Sequence, residues 1–357
     1  MASPRRVYIG SFTPAGPDGN VTAGPGITSA TQDPQTGELQ VLGEPAEAYC
    51  PGFLTLSDDG KHLYAVEGGA PGGLAAFAVG ADGDLSPLGR QPSGGVEPCY
   101  LAIDPSGRYV VAANYGGGSI VVYRIAADGS LGERTALVQH TGTGPNASRQ
   151  EQAHVHQTKF DASGRWLLVC DLGTDRVHVY ALDPETGEVT PAPTPYGSTA
   201  AGAGPRHAVS LSHGFVYVAN ELDATVAAFS FNDSTGELTP ANVCPSLVKR
   251  EAGDCYPSEI TASRDGAFLF VANRGADVVT TIKADRGEVT PVSDTPVGGQ
   301  WPRHIAVIGD WLYVSCENSN EVTRFAIDAD TGALTPAGEP LSVPSPGCVV
   351  AAGPSLD

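Results

Sequence analysis

The chain has 357 residues and a formal net charge of −20, from 20 Lys and Arg against 40 Asp and Glu. A field of that sign repels phosphate backbones and anionic lipid, which argues against nucleic acid or a membrane surface as the partner. Gly (45) and Pro (29) are too frequent for a helical protein, whereas 41% hydrophobic and 17% charged residues argue against disorder.

The N-terminal residues enter a strand pattern almost at once. Arg5 and Arg6 are followed directly by the apolar residues 7–9, and no apolar stretch has the length of a signal peptide or a membrane span. Seven cysteines are scattered along the chain without metal-ligand spacing, and an odd number cannot all pair. We therefore expect a cytoplasmic protein.

One phrase returns along the whole chain: a Gly, then a small or acidic residue, then Leu or Val. Its seven copies contain Gly37, Gly83, Gly129, Gly187, Gly236, Gly287 and Gly332, at intervals of 45 to 58 residues. A second phrase, a turn followed by a β-branched and aromatic strand, alternates with it. About four short strands per repeat of this length are typical of a propeller blade, and no segment has a helical apolar period. The prediction is an all-β, seven-bladed β-propeller, with residues 1–357 as a single domain.

The first repeat is split between the two ends of the chain. It supplies three strands, at residues 7–11, 26–31 and 39–43, and its innermost strand can come only from residues 347–351. The ring would then be closed by N-terminal strands pairing with a C-terminal innermost strand. The second repeat is complete, with strands predicted at residues 52–56, 62–66, 74–79 and 85–91. The Gly phrases are predicted to be hairpin turns between the third and fourth strands.

Aligning the repeats on the Pro before each innermost strand places one residue of each repeat in a ring. The ring contains Gly52, Cys99, His156, Arg206, Ser258, Arg303 and Gly347, and the next ring contains Phe53, Tyr100, Gln157, His207, Glu259, His304 and Cys348. Because the first two strands are antiparallel, the end of each second strand lies at the same mouth of the channel. The residues after these ends are Phe12, Gly68, Tyr115, Leu172, Glu221, Arg274 and Glu317.

This alignment predicts that basic and acidic side chains from neighbouring blades converge at one mouth. They are His156, Arg206, Glu221, Arg274 and Arg303. A single Arg at a strand end is usually a solvated or ion-pair group, but buried Arg and Glu together are costly unless they are paired or used. Two long connections, near residues 139–153 and 243–256, fall at the same mouth, and we expect a partial lid.

Six phrases occur along the chain in this order: His140-Thr-Gly-Thr-Gly-Pro, Arg149-Gln150, His154-Val155-His156, Gly204-Pro205-Arg206-His207, Asn220-Glu221-Leu222 and Asn273-Arg274-Gly275. They resemble the seven-bladed lactonase family, which contains propeller-type 6-phosphogluconolactonases and carboxy-cis,cis-muconate lactonizing enzymes. The resemblance covers essentially the whole chain, with the phrases in the family's order. Val155 departs from the pattern, since the family more often has Ala there.

The resemblance implies four catalytic residues: His156, Arg206, Glu221 and Arg274. His154 remains an alternative to His156. The residues expected to bind the substrate are His154, Arg149, Gln150, His207, Glu259 and Arg303.

Lactone opening needs a base and donors for the developing oxyanion. Glu221 or His156 could be the base. Arg206 and Arg274 would hold the oxyanion or an anionic group, while Arg303 and Arg149 would clamp a phosphate or carboxylate. The sequence has neither a Ser-His-Asp elbow nor a ring of carboxylates, so we expect no cofactor and no metal, unlike in the six-bladed, calcium-dependent lactonases.

The function expected from this resemblance is hydrolysis of 6-phosphogluconolactone, the second step of the oxidative pentose phosphate pathway. One alternative is an enzyme that forms or opens a muconate-type lactone, which the same basic mouth would suit. Another is a propeller that serves only as a binding scaffold, because fold alone does not determine function. The expected partner is a small anionic lactone, and the sequence gives no indication of oligomeric state.

Overall fold

The computed structural model describes residues 4–13, 23–249 and 253–351, where β-strands are the regular elements. The strands of the N-terminal half are β1 (Arg5–Ser11), β2 (Ile27–Gln32), β3 (Leu39–Ala46), β4 (Leu54–Leu56), β5 (His62–Glu67), β6 (Gly73–Val79), β7 (Leu85–Pro92), β8 (Pro98–Ile103), β9 (Tyr109–Asn114), β10 (Ser119–Ile125), β11 (Leu131–Gln139), β12 (Val155–Phe160), β13 (Trp166–Asp171), β14 (Arg176–Leu182) and β15 (Val189–Ser198).

The strands of the C-terminal half are β16 (Pro205–Leu211), β17 (Phe215–Asn220), β18 (Thr225–Asn232), β19 (Glu237–Pro245), β20 (Tyr256–Ala262), β21 (Phe268–Arg274), β22 (Val278–Asp285), β23 (Glu288–Pro296), β24 (Pro302–Ile308), β25 (Trp311–Cys316), β26 (Glu321–Ile327), β27 (Leu334–Pro336), β28 (Leu341–Ser342) and β29 (Pro346–Ala351). Over the described ranges, no helix has the length and apolarity needed to cross a membrane.

The strands form seven antiparallel sheets, which we number as blades along the chain. Blade 1 has the order β29-β1-β2-β3, and blades 2 to 6 each use four consecutive strands, beginning with β4, β8, β12, β16 and β20. Blade 7 begins with β24, and its outer edge is divided between β27 and β28, which both pair with β26. Pro340 lies in the gap between β27 and β28, where it cannot donate to a strand ladder.

The innermost strands form a closed ring. Strands β4, β8, β12, β16, β20, β24 and β29 contact one another in this order, and β29 also contacts β4. The C-terminal β29 pairs with the N-terminal β1, with Val350 opposite Tyr8. The seven-bladed propeller predicted from the repeats is therefore confirmed, and the split first blade is completed as the sequence indicated.

Aromatic side chains on the second strand of a blade bind the hairpin turn of the next blade. Four Tyr hydroxyl groups donate to backbone carbonyls in these turns at 2.5 to 3.3 Å: Tyr8 to Gly83, Tyr64 to Gly129, Tyr109 to Glu185 and Tyr313 to Gly37. Blade 4 uses the indole of Trp166, whose Nε1 donates to the carbonyl of Asp233 at 2.8 Å. The repeated Gly phrase is thus both a hairpin turn and the attachment point for the preceding blade.

The Gly in these turns is required by backbone geometry and by space. Gly129 has a φ of +84°, and a Cβ at this position would lie 1.9 Å from the His62 ring. Only Gly adopts such a conformation without a steric cost. The blades therefore pack closely because six of the seven turns leave room for an aromatic or imidazole ring of the neighbouring blade, and the turn at Gly83 leaves room for Arg6.

We predict that Tyr64→Phe lowers the stability of the propeller. The change removes a buried hydroxyl that donates to Gly129, a loss of about 1 kcal/mol, which corresponds to a fall of roughly 2 °C in Tm. The control is Tyr49→Phe, since Tyr49 is 53% exposed. Thermal unfolding followed by circular dichroism measures both variants, and equal Tm values for the two would contradict the role assigned to the inter-blade contact.

Candidate active site

Bulges at the start of the innermost strands turn side chains towards the central channel. The ladder between the first two strands of a blade shifts register at Pro98/Tyr100, Val155/Gln157, Pro205/His207 and Pro302/His304. Consecutive side chains of a regular strand face opposite sides, but a bulge re-aims them. As a result, Arg206 and His207 line the same cavity, as do Arg303 and His304.

A cavity of about 450 Å³ occupies this mouth of the channel. The five side chains predicted to converge, His156, Arg206, Glu221, Arg274 and Arg303, all line it. They come from blades 4, 5, 6 and 7, so the site requires the closed ring. Arg149, His207 and the aromatic residues Tyr115, Tyr256 and Trp301 also contribute to the wall.

The carboxylate of Glu221 holds three guanidinium groups at the cavity wall. Its Oε1 lies 2.5 Å from Arg149 Nη2, and its Oε2 lies 2.7 Å from Arg274 Nη2 and 2.9 Å from Arg206 Nε. The first two contacts are hydrogen bonds, whereas the Arg206 Nε–H is not aligned for a hydrogen bond, so this third contact is an ion pair. Burial raises the pKa of Glu221, but Arg274, Arg206 and Arg149 outweigh it and hold that pKa well below its ordinary value. Glu221 is therefore ionised.

Arg206 remains a cation despite its burial. Removal from water, with Arg274 nearby, lowers the pKa of its guanidinium to about 10, while Glu221 opposes this shift. Its Nη1 donates to the carbonyl of Ser258. At neutral pH the cavity wall therefore carries the positive charge that an anionic ligand requires.

Arg149 reaches the cavity from the long connection between β11 and β12. Gln150 anchors this loop, since its buried amide donates to the Leu172 carbonyl at 2.9 Å and to Asp175 Oδ1 at 2.7 Å. Arg149 Nη2 contacts both Glu221 and the hydroxyl of Tyr115, the latter at 3.4 Å. The loop predicted as a lid thus contributes a side chain to the wall. The second predicted loop, near 243–256, includes residues 250–252, which lie outside the described residues.

Arg303 and Arg274 also pack on aromatic rings. Arg303 Nη1 lies 3.1 Å from the buried Glu317 Oε2, and its guanidinium stands 4.9 Å from the Phe12 ring centre. Arg274 lies 5.6 Å from the centre of the Trp301 ring. These contacts fix both cations at the mouth, where a planar guanidinium can bind a phosphate or carboxylate.

His156 is a neutral imidazole in the cavity wall. Burial, reinforced by the positive charge of Arg206, lowers the pKa of His156 well below its ordinary value. Its Nδ1 lies 3.1 Å from His207 Nε2. A neutral imidazole has an unprotonated nitrogen, so His156 is able to accept a proton.

Cys99 lies beside His156 but is not an activated nucleophile. Burial raises the pKa of the Cys99 thiol to about 12. Its Sγ lies 3.3 Å from the carbonyl of His156 and 3.9 Å from His156 Nδ1. A thiol that stays protonated and donates to a carbonyl is a poor nucleophile, because the thiolate is the reactive form.

Three of the residues predicted to bind the substrate do not line this cavity. His154 stacks on Tyr115 with ring centres 4.5 Å apart, and its Nε2 lies 3.0 Å from Glu151 Oε1. Gln150 is buried in the loop anchor. Glu259 is buried deeper in the channel and lines a second cavity. The roles of Arg149, His207 and Arg303 stay predictions, and each of the three reaches the mouth cavity.

The sequence alignment did not single out the aromatic wall. Tyr115 occupies the same aligned position as Glu221 and Arg274, directly after a second strand, so the repeat pattern could have indicated it. Glu317, the partner of Arg303, occupies this position too. Trp301, Cys50 and Glu97 precede a Pro and have positive φ angles of 62°, 49° and 53°. All three line the cavity. Such strained conformations concentrate at functional sites, but they are invisible in residue patterns.

One cluster in the described residues could offer three metal ligands, His140, Asp171 and His178, with ligand atoms within 4.8 Å of one another. His140 Nδ1 donates to Asp171 Oδ2 at 2.9 Å, and Asp171 Oδ1 accepts the backbone N–H of His154 at 2.9 Å. These bonds tie both ends of the Arg149 loop to β13, which accounts for the burial of His140 and Asp171 without an ion. That the protein uses no metal and no cofactor stays a prediction.

Comparison with known proteins agrees with the fold. The family described as "Lactonase, 7-bladed beta-propeller" matches residues 6–351. A 6-phosphogluconolactonase of Bacillus subtilis is 31% identical over 352 residues, covering 96% of this chain and 97% of the relative. A 6-phosphogluconolactonase of Formosa agariphila is 30% identical, covering 94% and 96%.

Solved structures also match this chain over nearly its whole length. The periplasmic gluconolactonase of Pseudomonas aeruginosa superposes with a TM-score of 0.88 at 26% identity, covering 98% of this chain and 99% of that chain. A Bacteroides fragilis protein superposes with a TM-score of 0.89 at 31% identity, covering 98% of both chains. The chain therefore belongs to the seven-bladed β-propeller lactonase family.

Proposed function

We propose that this protein is a lactonase that hydrolyses a sugar lactone, and that its substrate is 6-phosphogluconolactone. The observation that carries this proposal is the composition of the cavity: four Arg side chains and a neutral His surround a space of about 450 Å³. Two relatives that align over nearly the whole chain are named 6-phosphogluconolactonase. The product would be 6-phosphogluconate.

The proposed base is His156 rather than Glu221. Glu221 contacts three guanidinium groups, which keep its carboxylate ionised and make it a weak proton acceptor. His156 is neutral and lines the cavity, so its imidazole can take a proton from an attacking water. Glu221 then acts as the anchor that holds Arg149, Arg206 and Arg274 in place.

The reaction proceeds by addition of water and cleavage of the ring ester. The water oxygen bonds to the lactone carbonyl carbon as its proton moves to His156, and the carbonyl oxygen becomes an oxyanion. Arg206 and Arg274 stabilise that oxyanion, because fixed cations in a water-poor site are effective electrostatic catalysts. The bond from the carbonyl carbon to the ring oxygen then breaks, and the ring oxygen takes the proton from His156.

A second anionic group of the substrate would bind to Arg303 and Arg149. Both lie at the mouth of the cavity, and a guanidinium fork matches phosphate oxygens. The chain as a whole has a net charge of −20, whereas four Arg side chains line this cavity. This distribution would guide a small anion to the mouth.

We place this activity in the oxidative pentose phosphate pathway and in the cytoplasm. All seven cysteines are free thiols, which suits a reducing compartment. The Pseudomonas aeruginosa relative is described as periplasmic, so compartment varies among related proteins. The cytoplasmic location that we propose for this chain follows from the proposed substrate, since a phosphorylated sugar lactone is an intracellular metabolite.

We predict that His156→Gln lowers kcat for 6-phosphogluconolactone roughly 10²- to 10⁴-fold, the usual contribution of a general base. The matched control is His154→Gln, which removes an imidazole that lies outside the cavity wall. The assay follows lactone loss in wild type and both variants after subtraction of spontaneous hydrolysis. Wild-type protein without turnover of this lactone, of gluconolactone or of a muconolactone would contradict the lactonase proposal, and an equal loss in both variants would contradict the choice of His156.

We further predict that Arg303 selects for a phosphorylated substrate. The test variant is Arg303→Gln combined with Glu317→Gln, so that the buried carboxylate of Glu317 is not left unpaired. The ratio of kcat/KM for 6-phosphogluconolactone to that for gluconolactone should fall by about 10-fold or more, because a charge-assisted contact is lost. Arg176→Gln is the control, since Arg176 packs on Tyr196 away from the cavity. An unchanged ratio would show that Arg303 does not bind the phosphate.

A further inference from the structure

The central channel contains two cavities separated by a layer of buried side chains. The second cavity has a volume of about 550 Å³ and is lined by Glu259, Lys159 and the inner strands. Phe53 and His304 line both cavities, so they form part of the separating layer. His207 belongs to the same layer and touches the first cavity, whereas Glu259 touches the second.

Glu259, His207 and His156 form a continuous chain through this layer. Glu259 Oε2 lies 2.8 Å from His207 Nδ1, and His207 Nε2 lies 3.1 Å from His156 Nδ1. All three residues are buried. Glu259 Oε2 and His207 Nδ1 lie within hydrogen-bond distance, but the N–H is not aligned for a hydrogen bond, so the contact acts through the charge of the carboxylate on a neutral imidazole.

The partners of each nitrogen determine where the protons lie. The backbone N–H of Val349 donates to His304 Nδ1 at 3.3 Å, so His304 Nε2 carries the proton and faces Glu259 Oε2 at 3.5 Å. His207 Nδ1 faces the same carboxylate oxygen, which can only accept when ionised. His207 Nδ1 therefore carries the proton, and its Nε2 is an acceptor.

A second contact supports this assignment for His207. Arg206 Nη1, which can only donate, lies 3.4 Å from His207 Nε2. With His207 Nε2 as an acceptor, the hydrogen between the two imidazoles belongs to His156 Nδ1. That leaves His156 Nε2 unprotonated, and His156 lines the cavity in which the lactone would bind.

We propose that His207 and Glu259 are positioning residues that fix the tautomer of His156, so that His156 Nε2 is the nitrogen that accepts the proton from water. The inference rests on the proposed lactonase function for its chemical meaning. The proton moves from water to Nε2 and later from Nε2 to the ring oxygen, while Nδ1 keeps its hydrogen bond to His207. Glu259, acting through His207, stabilises the transient imidazolium of His156.

The charges around the chain come from several blades. Arg206, Arg303 and Glu221 face His156, and burial together with Arg206 lowers the pKa of His207. Burial raises the pKa of the Glu259 carboxyl, and His304, Lys159 and Arg206, which face it, oppose this shift and favour the ionised form. A carboxylate that orients an imidazole through an N–H contact is a recurrent catalytic arrangement.

The experiment that tests the tautomer directly is long-range ¹H–¹⁵N NMR of the imidazoles in the full-length protein. His156→Gln identifies the His156 signals. We expect a protonated Nδ1 and an unprotonated Nε2 in wild type, and in Glu259→Leu we expect a shift towards a protonated Nε2. A protonated Nε2 in wild type, or an unchanged tautomer in Glu259→Leu, would overturn the proposal whether or not the protein hydrolyses any lactone.

Kinetics of the same variants separate positioning from a general structural role. Glu259→Leu should lower kcat roughly 10²-fold or more with a smaller change in KM, because a wrong tautomer removes the base. Glu259→Gln should keep more activity and the wild-type tautomer, since an amide oxygen facing His207 Nδ1 still favours a proton on that nitrogen. The structural control is Glu67→Leu, which removes a buried carboxylate that pairs with Arg90 outside the cavity wall. Equal kcat losses in Glu259→Leu and Glu67→Leu would overturn the proposal.

The two proposals fail in different ways. If wild type and Glu259→Leu show the expected tautomers but wild type has no lactone turnover, the lactonase function is wrong and the positioning of His156 by Glu259 stands. If wild type hydrolyses the lactone but His156 has a protonated Nε2, the function stands and the positioning is wrong.

Discussion

The carboxylate of Glu221 is the contact on which the site depends. Arg149, Arg206 and Arg274 would repel one another if they lay unpaired around one cavity, and Glu221 contacts all three. Removing one partner from a buried ion cluster typically costs about 3–5 kcal/mol, because the other charges remain desolvated. The three Arg side chains arise from the long loop and from blades 5 and 6, so this single carboxylate also ties separate parts of the chain together. The excess of positive over negative groups at the wall is then available for an anionic ligand.

The repeated blades and the bulges that interrupt their innermost strands together position this cluster. Regular contacts between aromatic side chains and Gly turns hold neighbouring blades together. The bulges at the start of the innermost strands break the strand alternation, and they place pairs such as Arg206-His207 on the channel side. The outer parts of the blades provide stability, whereas the channel ends carry residues that differ from blade to blade. Residues at the channel ends can therefore differ from blade to blade without disturbing the packing of the outer strands.

Most of the fold could be predicted from the sequence because the repeat is local and periodic. The predicted strand at 62–66 is observed as His62–Glu67, and the predicted strand at 347–351 is observed as Pro346–Ala351. The innermost strand of blade 2 was predicted at 52–56 but is observed as Leu54–Leu56. Gly52 and Phe53 line the cavity and precede the paired register, although the Phe53 carbonyl still accepts the Val66 N–H at 3.1 Å.

The candidate site was predicted only in part. Alignment of strand ends identified His156, Arg206, Glu221, Arg274 and Arg303, because the ends of equivalent strands meet at one mouth. It could not separate His154 from His156 by chemistry, since that choice depends on which imidazole the bulge turns inward. It also could not foresee that Glu259 contacts His207 instead of lining the mouth cavity. Burial depth along the channel is a property of the closed ring, and no local pattern encodes it.

The central claim is that Glu221 anchors the arginines and that His156 is the base. The most direct test is the pH dependence of kcat/KM in Glu221→Gln compared with wild type. In wild type, kcat/KM should be constant from about pH 6.5 up to the alkaline range in which Arg206, with a pKa of about 10, begins to lose its proton. It should fall at lower pH as His156 becomes protonated, because burial and Arg206 lower the pKa of this imidazole. The charge of Glu221 raises that pKa, so in Glu221→Gln the residual activity should keep the same inflection, moved to lower pH. A profile in Glu221→Gln without any acid inflection would contradict the account, since it would identify Glu221 itself as the base.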